Sequence, residues 1–175
     1  MSITDNAKAY HEKMFPGQQS ALAQTDPEFI ERFDNFAFDE VVNQGKLDDR
    51  TRMMAILATL LGCQGIDEFK AMLPAALNLG ITPVEAKEIV YQAVAYLGIG
   101  RVYPFLNATN EVLTARGVKL PLEGQATTTM ETRLQDGEQT QVDIFGDHMR
   151  GFSPSRPEES RHLHQGLADT SFRAH

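Results

Sequence analysis

The sequence predicts an all-α protein, and two observations predict it. From residue 26 to residue 117 the apolar residues recur at spacings of three and four, the period of one helix face. The same stretch is punctuated by helix start and stop residues. Asp26-Pro27 reads as an N-cap and a first helical position, where proline's missing N–H costs nothing. Phe29, Ile30, Phe33, Phe36, Ala37 and Val41 then mark one face as buried, and Gly45 closes that helix. A short polar helix over 3–14 precedes it. Asp48 can cap the next, D-D-R-T-R-M-M-A-I-L-A-T-L-L-G, which is apolar all round after Met53. Such a helix belongs in the middle of a bundle or between subunits. The segment Asp67 to Leu79 ends at Gly80, a natural left-handed C-cap, and Pro74 inside it is expected to kink or split it. Thr82-Pro83-Val84-Glu85 combines a capping box with proline at the first position, the sharpest local signal in the chain. It launches a helix through Ile89, Val90, Ala93, Val94 and Leu97 to Gly98. A last long helix over 102–116 ends at Arg116-Gly117.

Composition shifts after that point. Residues 118–142 are rich in Thr and Gln, with an Asp136-Gly137 turn and little apolar periodicity, so they read as a linker or extended arm. Short helical stretches follow near 142–150 and 157–172. An offset of 130 lays the tail on the beginning: Phe15 on Phe145, Pro27 on Pro157, Glu28 on Glu158, Asp39 on Asp169, Phe33 on Leu163 and Val42 on Phe172. The tail is therefore expected to begin a second, incomplete repeat over 143–175, after a first domain over 1–117.

Bulk properties exclude several function classes. At 175 residues and 42% hydrophobic, the chain can bury a core as one domain with room for a short extra segment. A net charge of −8 leaves no basic surface for phosphates, which argues against nucleic acid and anionic membranes as partners. The longest mostly apolar stretch, Met53 to Ile66, is shorter than the roughly 20 residues a membrane helix needs. The first residues lack the layout of a signal peptide, so a cytoplasmic location is expected. A single cysteine excludes an internal disulfide and a multi-cysteine zinc site. His162, His164 and His148 lie close in sequence, but alternate residues on a helix point apart, so neither a metal nor any other cofactor is expected; His175 and His11 add nothing to this.

Three strings then point to a family. L-D-D-R-T-R-M-M-A-I-L-A, A-A-L-N-L-G-I-T-P-V-E-A-K-E-I-V and A-Y-L-G-I-G-R-V-Y-P-F-L-N-A resemble the carboxymuconolactone decarboxylase family, of the alkylhydroperoxidase D-like superfamily. The resemblance covers roughly Leu47 to Leu113. It implies an antiparallel helical bundle of the alkylhydroperoxidase D-like type, here with an extended C-terminal arm, assembled into homo-oligomers, trimers or hexamers, with sites near subunit contacts. It also implies either decarboxylation of a lactone acid or reduction of a hydroperoxide by a C-x-x-C pair helped by Glu and His. The latter is an antioxidant activity of peroxiredoxin type. At the positions that the resemblance gives to these residues stand Met53 for the glutamate, Gly65 and Glu68 for the two cysteines, and Met72 for the histidine. Methionine neither gives nor takes a proton and fills apolar gaps well. The expected role is therefore a scaffold and oligomerisation unit that has lost the family's catalytic residues.

Two rival readings stand beside it. In one, Cys63 is a lone peroxidatic thiol, two residues before the family position, with Glu68 as a base. In the other, the chain is a non-catalytic binding module for a small-molecule acid or apolar compound, held by Arg52, Tyr96 and Arg101. Guanidinium forks suit carboxylates. The blander expectation for Arg50, Arg52 and Arg101 is ion pairing, and for Tyr91, Tyr96, Met53, Met54 and Met72 a place in the core or at a subunit contact.

Overall fold

A computed structural model describes residues 2–152 and 154–171 and divides the chain into two compact units, which meet in sequence at Leu120 and Pro121. Among the described residues there is helix and no strand. The first unit holds α1 (Asp5–Met14), α2 (Leu22–Thr25), α3 (Pro27–Asn35), a π-helical turn (Phe36–Glu40), α4 (Val41–Gln44), α5 (Asp49–Gly62), α6 (Ile66–Asn78), α7 (Pro83–Leu97) and α8 (Ile99–Ala115). Helices α5, α6, α8 and α7 pack in that order into a closed ring of four, because α5 also touches α7. Helix α1 lies on α6 and is tied to α3 and the π-helical turn.

The ring closes on a dry centre. Met53, Leu57, Leu61, Phe69, Leu73, Val90, Val102 and Phe105 are buried there, joined by Met14 from α1. The Phe69 and Phe105 rings meet edge to face with centroids 5.1 Å apart, a favoured aromatic geometry. Asn78 Nδ2 donates to the Met14 carbonyl (2.8 Å) and so fixes the end of α1 on the bundle.

Caps fall where the sequence places them, with one exception. The Asp48 side chain accepts from Thr51 N–H (2.9 Å), and Thr4 does the same for Ala7 (3.1 Å). The Thr82–Glu85 capping box is complete: Glu85 N–H donates to Thr82 Oγ1 and Thr82 N–H to Glu85 Oε2. Pro27 is the first residue of α3, but Asp26 makes no side-chain cap there and instead accepts from Thr25 Oγ1 (2.6 Å).

Several expectations need correction. The α3 face named from spacing faces the core only in part: Ile30 is buried and Ala37 half-buried, while Phe29, Phe33 and Phe36 are 57%, 42% and 59% exposed, and Val41 is exposed too. The inward residues are Ile30 and Asp34. Spacing alone marks a stripe without saying which way it points, and here Phe29 stacks on Phe33 along the outside. The π-helical turn lengthens one turn by a residue and shifts the register after it. Pro74 does not split α6, which runs unbroken from Ile66 to Asn78; α8 likewise runs through Pro104 and starts at Ile99, three residues earlier than expected. Helix α5 is not enclosed on every side, since Thr51, Ala55, Ala58 and Gly62 are exposed. The stretch read as linker or arm over 118–142 becomes helical at Arg133.

The second unit holds α9 (Arg133–Phe145), a short 3₁₀ turn (Asp147–Met149) and α10 (Glu158–Ser171), with α9 packed on α10. Phe172, matched to Val42 by the offset of 130, and His175, named among the histidines, lie outside the described residues. The Arg156 guanidinium sits over the Phe152 ring at 3.9 Å, and the Phe152 ring meets His164 edge-on. Among the described residues no cluster of His, Cys, Asp and Glu could hold a metal ion. No helix is long and apolar enough to cross a membrane, again among the described residues.

This burial pattern separates two phenylalanines. Phe69→Ala should lower the unfolding free energy by about 3–5 kcal/mol, the usual cost of emptying a buried aromatic site. Phe36→Ala should change it by no more than about 0.5 kcal/mol, as surface substitutions do. Urea denaturation of both variants checks this, and equal losses would contradict the outward placement of Phe36.

Candidate functional site

The family positions come first. Met53 on α5 is fully buried and Met72 on α6 is 7% exposed, and both belong to the apolar core cluster. Gly65 is the residue before α6; a Cβ there would meet Leu60 Cδ2 at 3.2 Å and Cys63 Sγ at 3.5 Å. Glu68 points outward from the first turn of α6, where a carboxylate favours the helix dipole. Cys63 caps the end of α5 with an exposed thiol whose Sγ donates to the Leu60 carbonyl at 3.6 Å. The two sulfur-bearing core residues and the exposed Cys63 and Glu68 therefore occupy different environments, one dry and one wet.

The arginines named as candidate binders serve the frame. Arg52 Nη2 donates to the carbonyls of Val42 (3.3 Å) and Leu47 (3.1 Å), lashing the chain between α4 and α5 to the first turn of α5. Beside it, Asp49 accepts from the Tyr10 hydroxyl (2.9 Å) and pairs with Lys13, which ties α1 to α5. Burial, and then the hydrogen bond to Asp49, push the Tyr10 phenol up to about 12. The Lys13 ammonium holds the Asp49 carboxyl below its ordinary range. Arg50 reaches across to pair with Glu85 of the capping box. Arg101 is exposed at the start of α8.

A groove of about 780 Å³ lies along the α5–α7 pair. The Arg50–Glu85 pair joins the first turns of the two helices beside it. Helix α5 presents Thr51, Ala55, Ala58 and Gly62, and α7 presents Glu85, Ile89, Gln92 and Tyr96, each row at spacings of four, three and four. Tyr96 is 76% exposed and lines the groove, while Arg52, Arg101, Cys63 and Glu68 do not. Tyr91 and Tyr96 are thus not core residues. Sequence reasoning singled out Tyr96 but missed Ala55, Ala58, Gly62, Ile89 and Gln92. The matched spacings in both helices are the signal that could have found them.

The fold and the groove together define a small helical bundle with an apolar groove along α5 and α7 and, among the described residues, no ionisable group in its core cluster. The chain matches the model of the carboxymuconolactone decarboxylase family over residues 27–111, from the start of α3 into α8. It is 31% identical over 90 residues to a 4-carboxymuconolactone decarboxylase of Acinetobacter baylyi (strain ATCC 33305 / BD413 / ADP1). That alignment takes in 51% of this chain and spans 65% of the length of that relative. No solved structure matches the chain.

The Tyr10–Asp49–Lys13 contact sets a pH dependence at both ends of the scale. A raised phenol pKa means that the folded state holds its proton more tightly than the unfolded chain does. The associated stability is present below about pH 10 and is lost as the pH rises toward 12. For Asp49 the sign is opposite: its stability is present above the ordinary carboxyl pKa and is lost as the pH falls through the lowered folded value. Denaturant unfolding from pH 9 to 12 should therefore show a loss of stability that Tyr10→Phe reduces. An unchanged slope in that variant would contradict the contact.

Proposed function

We propose that the α1–α8 unit is a non-catalytic member of the carboxymuconolactone decarboxylase family that serves as a scaffold and assembles with other copies of the chain. The observation that carries this reading is the burial of Met53 and Met72 in one apolar cluster. These are the positions that the family resemblance gives to the glutamate and histidine. Decarboxylation of a lactone acid needs a titratable group held at the reacting carbon. Peroxide reduction by a thiol pair needs an ionised thiol and a second thiol within reach of it. Gly65 and Glu68 supply neither thiol, and methionine supplies no proton. The family's homo-oligomers, trimers or hexamers, are the expected state.

A second reading rests on the exposure of Cys63. A lone thiol at a helix end can reduce a hydroperoxide: the thiolate attacks the peroxide, becomes a sulfenic acid and releases an alcohol; one external thiol then forms a mixed disulfide with loss of water, and a second releases the Cys63 thiol and leaves as the disulfide of the two. Glu68, in the following helix, would serve as the base in that scheme.

Purified chain should not decarboxylate 4-carboxymuconolactone above the uncatalysed rate, followed by absorbance and by carbon dioxide release. Turnover at an enzyme-like rate would sink the scaffold reading. With an alkyl hydroperoxide and excess dithiol, wild type and Cys63→Ser should consume peroxide equally. A clear loss in the serine variant would move the assignment to the thiol chemistry.

A further inference from the structure

The structure assigns the outer side of α3 and the π-helical turn as a docking site for a basic amphipathic helix of another protein. Phe29, Phe33, Phe36 and Val41 are all exposed there. Single exposed apolar residues are ordinary, but a contiguous row of large ones marks an interaction site. The Phe29 and Phe33 rings stack with centroids 5.8 Å apart, and Phe33 meets Phe38 edge to face. The π-helical turn carries the row onward. Val41 N–H bonds to the Phe36 carbonyl, five residues back, so Val41 stands one turn beyond Phe36. An unbroken α-helix would have put Glu40 in that place, four residues on. Spacings of four and three, then five across the π turn, keep the row on one seam, the period at which a second helix packs. Such turns are rare and gather at functional sites.

The back of this segment is fixed without help from the row. Asn35 Oδ1 accepts from Thr4 N–H (2.8 Å), Asp39 accepts from the Thr4 hydroxyl (2.7 Å), and Ile30 is buried beneath. The row is therefore a preformed ridge, which lowers the ordering cost of binding.

Charge names the occupant. Residues 27–44 hold five carboxylates against one arginine. Glu28 pairs with Arg32, Asp39 accepts from the uncharged Thr4, Asn6 and Asn43, and Glu40 is exposed next to Val41. A second copy would bring the same acids on a chain of net charge −8 and be repelled, as would an anionic membrane. A helix that is apolar on one side and rich in Lys or Arg elsewhere meets both features. Its apolar side covers the row and its cations reach the carboxylates. Anchors at four- and seven-residue intervals, here Phe29, Phe33 and Phe36, are the pattern by which amphipathic helices are recognised. From Phe29 to Val41 the row is about 18 Å long at 1.5 Å per residue, so the matching helix is about two heptads long.

The test uses the full chain and reads fluorescence anisotropy of a labelled peptide of about 14 residues, with Leu at the seam positions and Lys elsewhere. A control peptide has the same composition with its leucines spread around the helix. The seam peptide should bind, and the control should bind more weakly by about tenfold or more, because a few apolar anchors dominate such contacts. The double variant Phe29→Ala/Phe36→Ala should weaken the seam peptide by about tenfold or more with its far-UV circular dichroism unchanged. Glu40→Lys should weaken it by about threefold, and by less at high salt. Equal binding of the two peptides, binding unchanged in the double variant, or no binding of either peptide would overturn the proposal. Two further outcomes would also overturn it. Loss of a larger species in light scattering of the double variant gives the row to a second copy. Cosedimentation of wild type, but not of the double variant, with phosphatidylcholine vesicles gives it to a lipid surface.

Discussion

One carboxylate organises the first unit. Glu85 closes the capping box of α7 by accepting from Thr82 N–H, and the same side chain takes the Arg50 guanidinium from the first turn of α5. Neither contact is large by itself. A cap is worth about 1 kcal/mol, and a partly exposed ion pair about 0–1 kcal/mol. Their effect is geometric, because one side chain joins the first turn of α7 to the first turn of α5. The packing behind follows that join: Met53, Leu57 and Leu61 enter the core on one side, and Ala86 and Val90 on the other. The groove in front follows it too, because the two outer rows border it. A slip of one turn, about 5.4 Å, would offset both sets at once.

Behind that contact, the centre of the ring is built from residues that need no polar partner. A buried glutamate or histidine must be hydrogen-bonded or paired, since an isolated buried charge is expensive. Methionine asks for nothing but volume, and its flexible thioether fits an irregular gap. With Met53 and Met72 in the centre, the bundle closes on an interior that is mostly apolar, with the buried Thr109 hydroxyl donating to the Phe105 carbonyl and the Phe69–Phe105 pair at its edge. Polar ties lie nearer the surface, where Asp49 ties α1 to α5 and Arg52 ties the α4–α5 connection to backbone carbonyls.

Most of the helix layout could be read from the chain because its signals are local. A capping box, a proline at a first helical position and a C-cap glycine act within one turn, and they mark α7 at both ends. Direction is another matter. Phe29, Phe33 and Phe36 form a regular stripe, yet the stripe faces out, because the bundle accepts Ile30 and a π-helical turn intervenes before α4. The Thr- and Gln-rich segment hides α9 for a similar reason. Its helix rests on few apolar residues, with Gly137, Gln141 and Val142 turned inward, so hydrophobic periodicity is faint. The offset of 130 carries Asp5–Met14 onto 135–144, inside α9, while Met14 is buried and the corresponding Ile144 is 60% exposed. Similar helix placement thus coexists with different cover. Of the candidate site residues, Tyr96 alone lies on the groove, because contacts between distant helices decide which side chains share a concavity.

Net charge and apolar surface pull against each other in this chain. At −8, like-charged copies repel one another, and the repulsion is felt most where carboxylates would face carboxylates. An association face on such a protein has to be poor in unpaired acid, and the α5–α7 surface meets that condition over most of its length. Its middle holds alanine, isoleucine and glutamine beside Glu88, its far end is Gly62 and Tyr96, and Glu85 is matched by Arg50 at the near end. Salt should therefore screen the general repulsion more than it weakens the contact itself, since the contact is mainly apolar. Self-association through this surface would strengthen with rising ionic strength, whereas assembly through surface ion pairs would weaken.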